Sequence, residues 1–559
     1  MKHLLFPFFL LGFFFSSAQN PLVKQWDKRF GGIDEEVFTS FQETSDGGFI
    51  LGGYSYSVLG GDKTEGSRGE DDFWIVKADS LGSKQWDKRF GGNSFDELYC
   101  FQQTNDGGYI LGGMSTSGMN GDKTQNPQDT SSVISGKGDY WIVKTDALGN
   151  KEWDKRFGGL NVDQLFSLQQ SIDGGYILGG MSKSGIGGDK TQTSCDTSAN
   201  IYAGAQGDYW VVKIDSQGDK LWDKRFGGLN IDAPSSLQET IGGGYILGGN
   251  SRSGIGGDKT QDCWGGWDYW IVKIDAAGIK QWDKRFGGTG DDVCYSLQQT
   301  SDGGYILGGI SKSGISGDKT QASWDISPNP SQQGDYWIVK IDGAGIKQWD
   351  KRFGGENNEG PVGNIFQTSD NGYIMAGIST SGVGGDKSEI TYNASDIWVV
   401  KTDWLGNKQW DKTIFVTGLD KIGKINSSGD GCYTIAGQIQ DTGGYCTQPS
   451  RGGNDYWIIK FCIDTSIHTN ATDLKDNTYI SLSPNPFTTT LSISIQKENL
   501  QQADFTIINI IGHPVYTKHE SNLSSTYTKT LELGYLPAGV YFLEVIAGGE
   551  RSVRQLVKQ

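Results

Sequence analysis

Short apolar runs separated by glycine-rich turns recur along most of this chain. The stretch that ends at Trp349 and its flanking glycines reads CYSLQQT, SDGG, YILGGIS, a long polar loop, DYWIVKID, GAG and then KQWDKRFGG. The runs are short and rich in β-branched and aromatic side chains, which fit a pleated strand surface. Asp302-Gly303-Gly304 sits between two such runs, and glycine accepts the positive φ that tight hairpin turns require. Asp342-Gly343-Ala344-Gly345 forms a second turn of the same kind. The pattern therefore predicts four short strands, here called a to d, with tight a-to-b and c-to-d turns and a long loop between b and c.

The unit repeats. Trp-Asp-Lys occurs at Trp26, Trp86, Trp153, Trp222, Trp282, Trp349 and Trp410, so successive copies are 60 to 69 residues apart. All but the last continue as WDKRFGG. A fixed period of this size means an array of like supersecondary units. Each unit also has a tryptophan in strand c: Trp74, Trp141, Trp210, Trp270, Trp337, Trp398 and Trp457. Burying one such side chain stabilises by roughly 1.5–3 kcal/mol or somewhat more. The phase of the array matters as much as its length. It opens on a lone strand d, Lys24 to Phe30, and closes on strands a, b and c, Lys424 to Cys462. Three strands at one end and one at the other complete a seventh sheet, which a closed ring needs and an open solenoid does not. The expectation is an all-β chain: a seven-bladed β-propeller at residues 23–464 with 3+1 strand closure, then a small Ig-like β-sandwich.

Composition narrows the function classes. Glycine contributes 84 of 559 residues and aromatics 12%, which suits many short strands with tight turns. The net charge of −17 argues against a nucleic-acid partner, which needs a basic footprint. Residues 1–18 read as an export signal: Lys2 and His3, an apolar stretch from Leu4 to Phe15, then Ser16-Ser17-Ala18. No later apolar run is long enough for a transmembrane helix. The four histidines are His3, His468, His513 and His519, none within the array, which leaves no histidine triad or histidine metal site there.

The C-terminal part differs from the array. Residues 481–559 hold Ser483-Pro484-Asn485-Pro486-Phe487, the strand LSISI, FTIINIIGHPVY, Leu536-Pro537-Ala538-Gly539-Val540-Tyr541-Phe542 and a tail with Lys558. This module resembles the type A C-terminal sorting domain of the type IX (Por) secretion system. The repeat unit resembles a propeller-like repeat of large secreted proteins that use that system. The resemblance implies an Ig-like sandwich read by the outer-membrane translocon, with Pro484, Asn485, Pro486, Gly512, Gly539, Tyr541 and Lys558 as its sorting motif. It implies a protein secreted or attached to the outer-membrane surface after passage through the periplasm. Residues 465–480 are polar and non-repetitive and read as a linker.

In a propeller the d-to-a and b-to-c connections share one face. The b-to-c loops are long and unequal, as at Ser115–Lys137, Ser182–Gln206 and Ser311–Gln333, and loops on rigid scaffolds carry function. Two sets of acids belong to that face. One lies four residues past each WDKRFGG: Glu36, Asp96, Asp163, Asp232, Asp292 and Glu359. The other lies in a recurring GDK phrase: Asp62, Asp122, Asp189, Asp258, Asp318 and Asp386. They could ring the face with oxygen ligands for calcium or a cationic partner, or they could serve the loop backbone as turn aspartates do. The spacing lacks the dense alternating acids of calcium loops, and no cofactor motif is present. The Asp-Gly-Gly hairpins at Asp46, Asp106, Asp173 and Asp302 read as turn chemistry, and the Trp-Asp-Lys strand as edge packing rather than a sugar platform.

Seven cysteines are too few for a disulfide framework. Antiparallel pairing of strands b and c in the last unit brings Cys432 to Cys462, which predicts a bridge. Cys195 and Cys263, in loops of adjacent units, form a second candidate pair. Cys100 and Cys294 lie three units apart and should not pair, and Cys446 is left over. The functional expectation is a secreted, monomeric, non-enzymatic binding propeller with a glycan or extracellular protein ligand. The alternatives are a carboxylate-based glycosidase or lyase, and a structural surface or adhesion component.

Overall fold

The computed structural model describes residues 22–559 except 129–137, 196–206, 325–333, 393, 418–420, 429–430, 464–479, 498–499, 510–513, 538, 548–549 and 559. The signal, the linker, Gly512 and parts of the three longest b-to-c loops lie outside the described residues. Among those described there are 35 strands in nine sheets and no helix. Among the described residues no helix is long and apolar enough to cross a membrane, which says nothing of strand-built membrane proteins. The chain divides into two compact units, residues 1–464 and 465–559.

The first unit contains seven four-stranded antiparallel sheets. Sheet 1 runs Glu36–Glu43, Phe49–Ser55, Asp72–Ala78 and Lys84–Phe90, in sequence order a-b-c-d. Sheets 2 to 6 repeat this plan. Sheet 7 takes strands a, b and c from Lys421–Ser427, Cys432–Ile439 and Asp455–Ile463, and strand d from Leu22–Phe30 at the other end of the chain. Lys28 stands opposite Ile458 and Phe30 opposite Tyr456. The 3+1 strand exchange expected from the phase of the repeat is present.

The core lies between successive sheets. Phe38, Leu51 and Trp74 of sheet 1 pack with Tyr456 and Ile458 of sheet 7. Ile374 and Val399 of sheet 6 pack with Ile435 and Trp457 of the same sheet 7. The strand c tryptophans are fully buried, and six of them pack on the strand c aromatic of the sheet before, while Trp457 shares its cluster with Ile397 instead. Tyr140 lies 4.8 Å from Trp210 and Tyr209 lies 4.9 Å from Trp270. The same contact joins Tyr456 of sheet 7 to Trp74 of sheet 1, at 4.9 Å, with the tyrosine hydroxyl donating to the Trp74 carbonyl at 3.1 Å. The strand d tryptophans are half-buried and meet the next sheet edge-on, as Trp86 does with Tyr109 at 5.8 Å.

Two glycines explain conserved spacing inside the unit. Each strand a carries a bulge, and the paired glycine of strand b faces it closely. A Cβ on Gly53 would fall 1.9 Å from the Val37 carbonyl oxygen. In WDKRFGG, a Cβ on Gly91 would fall 1.9 Å from Asp72 Oδ1.

The second unit has two sheets over one apolar core. One holds Ile480–Ser483, Thr490–Gln496 and Thr526–Glu532; the other holds Pro514–Ser521, Gln502–Asn509, Gly539–Ala547 and Glu550–Lys558. Leu491, Ile493, Phe505, Leu543 and Leu556 are buried between them. The SPNP segment is tied to the last strand. Asn485 Oδ1 accepts from the Val557 N–H at 2.9 Å, and Phe487 bridges to Lys558. Tyr541 donates to the Pro537 carbonyl at 2.9 Å.

Candidate functional site

The repeated Trp-Asp-Lys strand is a structural hub. Its aspartate is buried. Asp87 Oδ2 accepts from the strand c indole of Trp74 at 3.0 Å and from the backbone N–H of Thr64, in the GDKT phrase, at 2.9 Å. Lys84, three residues earlier, pairs with Oδ1 at 2.7 Å. Strand c, strand d and the b-to-c loop are thus locked by one carboxylate. In sheet 7 this hub joins the chain ends: Asp27 accepts from Thr447 N–H at 2.8 Å and from Trp457 at 3.4 Å.

The first acid set is fully buried, not displayed on the face. Glu36, Asp96, Asp163, Asp232, Asp292 and Glu359 begin strand a and have no exposed surface. Each accepts from the backbone N–H four residues before it, at 2.7 to 3.3 Å. Serine hydroxyls from the end of strand b complete the site, as Ser55 does for Glu36 at 2.8 Å and Ser117 for Asp96 at 2.8 Å. The GDK lysine lies over the same serines: Lys63 donates to Ser55 Oγ and the Ser57 carbonyl, both at 2.8 Å. Burial pushes Glu36 up to about 7 and Glu359 up to about 8, and pulls Lys63 down to about 8. This set fastens the turn between sheets, so the ring of solvent-facing ligands is not built from it.

The second set is partly exposed and spoken for by the preceding sheet. Asp122 pairs with Arg89 at 2.9 Å, Asp189 with Arg156 at 2.7 Å and Asp258 with Arg225 at 2.9 Å. Asp318 pairs with Arg285 and Asp386 with Arg352, both at 2.7 Å. Each arginine is the one in WDKRFGG. At the join between chain ends, Asp62 takes Arg451 instead, at 2.8 Å. Among the described residues no group of three or more His, Cys, Asp or Glu side chains could hold a metal ion.

The Asp-Gly-Gly hairpins hold buried lysines of strand c. Asp46 pairs with Lys77 at 2.9 Å and caps its own turn through Gly48 N–H at 3.0 Å. Asp106, Asp173 and Asp302 pair with Lys144, Lys213 and Lys340, each at 2.9 Å. Where Gly242 replaces the acid, Lys273 donates to the Gly243 carbonyl at 3.0 Å.

Cys432 and Cys462 form the expected disulfide. Cys195 and Cys263 are not bridged. Cys195 accepts from Arg225, in strand d of its own sheet, at 2.6 Å, and faces Gly257 of the next loop, while Cys263 turns inward to Lys259 at 3.0 Å and the Ser251 carbonyl at 3.2 Å. Cys100, Cys294 and Cys446 are free and buried.

One position on this face changes its residue from sheet to sheet while its backbone stays fixed. It lies five residues past the GDK lysine. Its N–H donates to the first aspartate of strand c in every sheet, at 2.6 to 3.0 Å. The residues there are Arg68, Gln128, Cys195, Trp264, Trp324, Tyr392 and Arg451. Three consecutive sheets present aromatics, with Trp264 53%, Trp324 43% and Tyr392 61% exposed. Arg285 stacks over Trp264 at 4.9 Å and Arg352 over Trp324 at 4.7 Å. Trp324 Nε1 also donates to Asp386 at 3.0 Å. Alignment of the loops on the GDK lysine would have singled this position out from sequence.

A cavity of about 480 Å³ is lined by strand a of all seven sheets. Its walls are mainly glutamine, serine and aromatic side chains.

The class defined by this architecture is a repeated four-strand, all-β protein carrying a separate β-sandwich-like module. Residues 481–559 match the family described as "Secretion system C-terminal sorting domain". This module accounts for export by the type IX system, with the protein ending outside the cell or on the outer-membrane surface. The chain is also similar to "Regulatory protein FlaEY" of Caulobacter vibrioides, 26% identical over 188 residues. That match spans 33% of this chain and 19% of the curated relative. Among solved structures, Sqt1 from Chaetomium thermophilum matches 78% of this chain and 100% of its own at 9% identity and a TM-score of 0.33. A DUF4221 family member from Bacteroides vulgatus matches 79% and 97% at 10% identity and a TM-score of 0.30. An ulvan lyase of polysaccharide lyase family PL25 matches 76% and 97% at 11% identity and a TM-score of 0.39. Likeness at these scores carries no inference about activity.

Proposed function

We propose that residues 23–464 form a closed seven-bladed β-propeller that binds a glycan without turning it over, after delivery to the cell exterior by an Ig-like sorting domain. Closure is supported by the cavity that all seven strands a line and by the Tyr456–Trp74 contact between the last sheet and the first. The glycan assignment rests on one observation: a constant backbone frame that presents Trp264, Trp324 and Tyr392 in an arc on adjacent blades. Flat aromatic faces with polar edges suit the C–H faces and hydroxyl rims of sugar rings. Exposed Trp, Tyr and Arg are also the residues that concentrate binding energy. Stacking by Arg285 and Arg352 orders the indoles before a ligand arrives.

The acids beside the arc support binding over catalysis. Asp318 and Asp386 are ion-paired, and Asp268 and Asp335 are buried under the loop backbone. A carboxylate glycosidase or lyase needs an acid and a base directed at one bond. Residues 1–18 act in this scheme as the export signal and 465–480 as a linker; the propeller works as a monomer and needs no metal.

The test is a glycan-array screen of the purified chain, followed by titration of the best ligand. Trp264→Ala and Trp324→Ala should each weaken binding by roughly ten-fold or more, and Leu81→Ala on the opposite face should not. Release of cleaved product would overturn the non-catalytic assignment. Unchanged affinity in both tryptophan variants would overturn the site.

A further inference from the structure

The cavity lined by the seven strands a contains one charged side chain, Lys424, and no Asp or Glu among its lining residues. Lys424 breaks a pattern. At the register position opposite the first glycine or alanine of the GG/AG pair in strand b, four sheets place serine, sheet 2 places Cys100, sheet 6 places Asn364 and sheet 7 places Lys424. Asn364 and a serine use this position to tie their sheet to the next one. Asn364 exchanges bonds with the Ile425 backbone at 2.8 and 3.0 Å, and Ser296 Oγ accepts from Ile365 N–H at 3.2 Å. Lys424 has a single hydrogen bond among the described residues, to Ser40 Oγ at 3.4 Å. Lys424 is half-buried; an ammonium has three donors, and a cation partly withdrawn from water without a counter-charge is costly. Its neighbour Cys100 supplies none: burial pushes that thiol up to about 12, so it stays neutral. Burial also pulls Lys424 below the ordinary lysine range.

We propose that Lys424 anchors a site for a small organic carboxylate inside this cavity. The ammonium takes the carboxylate. Gln42 and Gln102 line the same space; their carbonyl ends accept from the next sheet at 2.8 and 2.6 Å, which leaves amide N–H donors for the ligand. Phe166 and Phe366, also in the lining, provide apolar wall for the ligand body. A volume of about 480 Å³ lies within the range of roughly 300–1,000 Å³ that encloses small molecules. The site is separate from the aromatic arc and does not depend on glycan binding.

The test is calorimetric titration of the full chain with benzoate, inorganic phosphate and benzyl alcohol. Benzoate should bind more tightly than either of the others. Lys424→Gln should weaken benzoate by roughly ten-fold or more, and Lys424→Arg should retain most of the affinity. A measurement that needs no variant runs beside it: benzoate should protect Lys424 from an amine-acylating reagent, read by peptide mass spectrometry. Benzoate affinity within about two-fold of the parent in Lys424→Gln, tighter binding of phosphate, or absence of protection would each overturn the proposal.

Discussion

Sheets 1 to 6 and sheet 7 solve the same packing problem with different chemistry. In the first six, the loop face is held by buried charge: a carboxylate, serines, a GDK lysine and, between neighbours, an Arg–Asp pair. In sheet 7 several of these positions change together, although the sequence keeps an acid, Asp420, where sheet 1 has Glu36. Ser55, Asp62 and Lys63 of sheet 1 correspond to Ile439, Tyr445 and Cys446, and the arginine that would reach the loop from sheet 6 is Thr413. Val416, Ile439 and Cys446 are buried in one cluster, with Tyr445 packed against it. The loop backbone is nevertheless the same: Tyr445 N–H donates to the Phe415 carbonyl at 2.7 Å, as Asp318 N–H does to Gly287 at 2.8 Å. The backbone bonds therefore define the loop, and the side chains are alternative fillings of one mould. The Arg–Asp pair between neighbours vanishes as a unit, with Thr413 and Tyr445 in the two places, which follows from the cost of burying either charge alone.

Three experiments would break or sharpen this contrast. The largest effect is expected from deleting residues 22–30, because sheet 7 then loses strand d and the Asp27 hub. Thermal unfolding of the first unit should lose its single cooperative transition, and added peptide 22–30 should restore it. A cooperative transition that survives the deletion would show that the ends need not be joined. Next, Tyr445→Asp should cost about 1–3 kcal/mol in urea unfolding, since it places a carboxylate in an apolar cluster with no arginine opposite. Adding Thr413→Arg should recover about 1 kcal/mol of it if the two positions couple as their counterparts do. No recovery would show that the ion pair works only within its full polar network.

The smallest effect concerns pH. Glu36 and Glu359 have folded pKa values raised to about 7 and about 8. Their contribution to stability is complete below the ordinary glutamate value and is lost as pH rises through those raised values. Lys63, lowered to about 8, stays protonated from pH 5 to 7 and adds no slope there. Asp46 and Asp106, held at about 2, titrate below that window. The melting temperature should thus fall between pH 5 and pH 8, and Glu36→Gln should reduce that fall by about 1–2 °C. An unchanged slope in the variant would show that Glu36 stays ionised throughout.

Much of the fold was legible in the chain. The four-strand unit followed from apolar periodicity and Asp-Gly turns, and strand exchange at sheet 7 followed from the phase of the repeat. Cys432–Cys462 followed from register alone. The candidate sites were less legible. Asp318 finds its arginine 33 residues away on another sheet, and the spacing in sequence points instead at the adjacent lysine. Cys195 and Cys263 lie in neighbouring loops, yet one occupies the outward position and the other the inward one. Lys424 looks ordinary in a strand that reads KIGKINS; only the other strands a that line the cavity with it make it the sole charge there.

The sequence by itself determined the strand content, the number of units and which end supplies the missing strand, because these depend on local periodicity, turn chemistry and counting. Tertiary structure alone decided which acids face water and which are buried between sheets. It also decided which arginine neutralises which aspartate, and which of seven equivalent loop residues form an aromatic arc. Burial and pairing are properties of the space between sheets. That space is built by residues roughly 60 positions apart, so no local pattern records it.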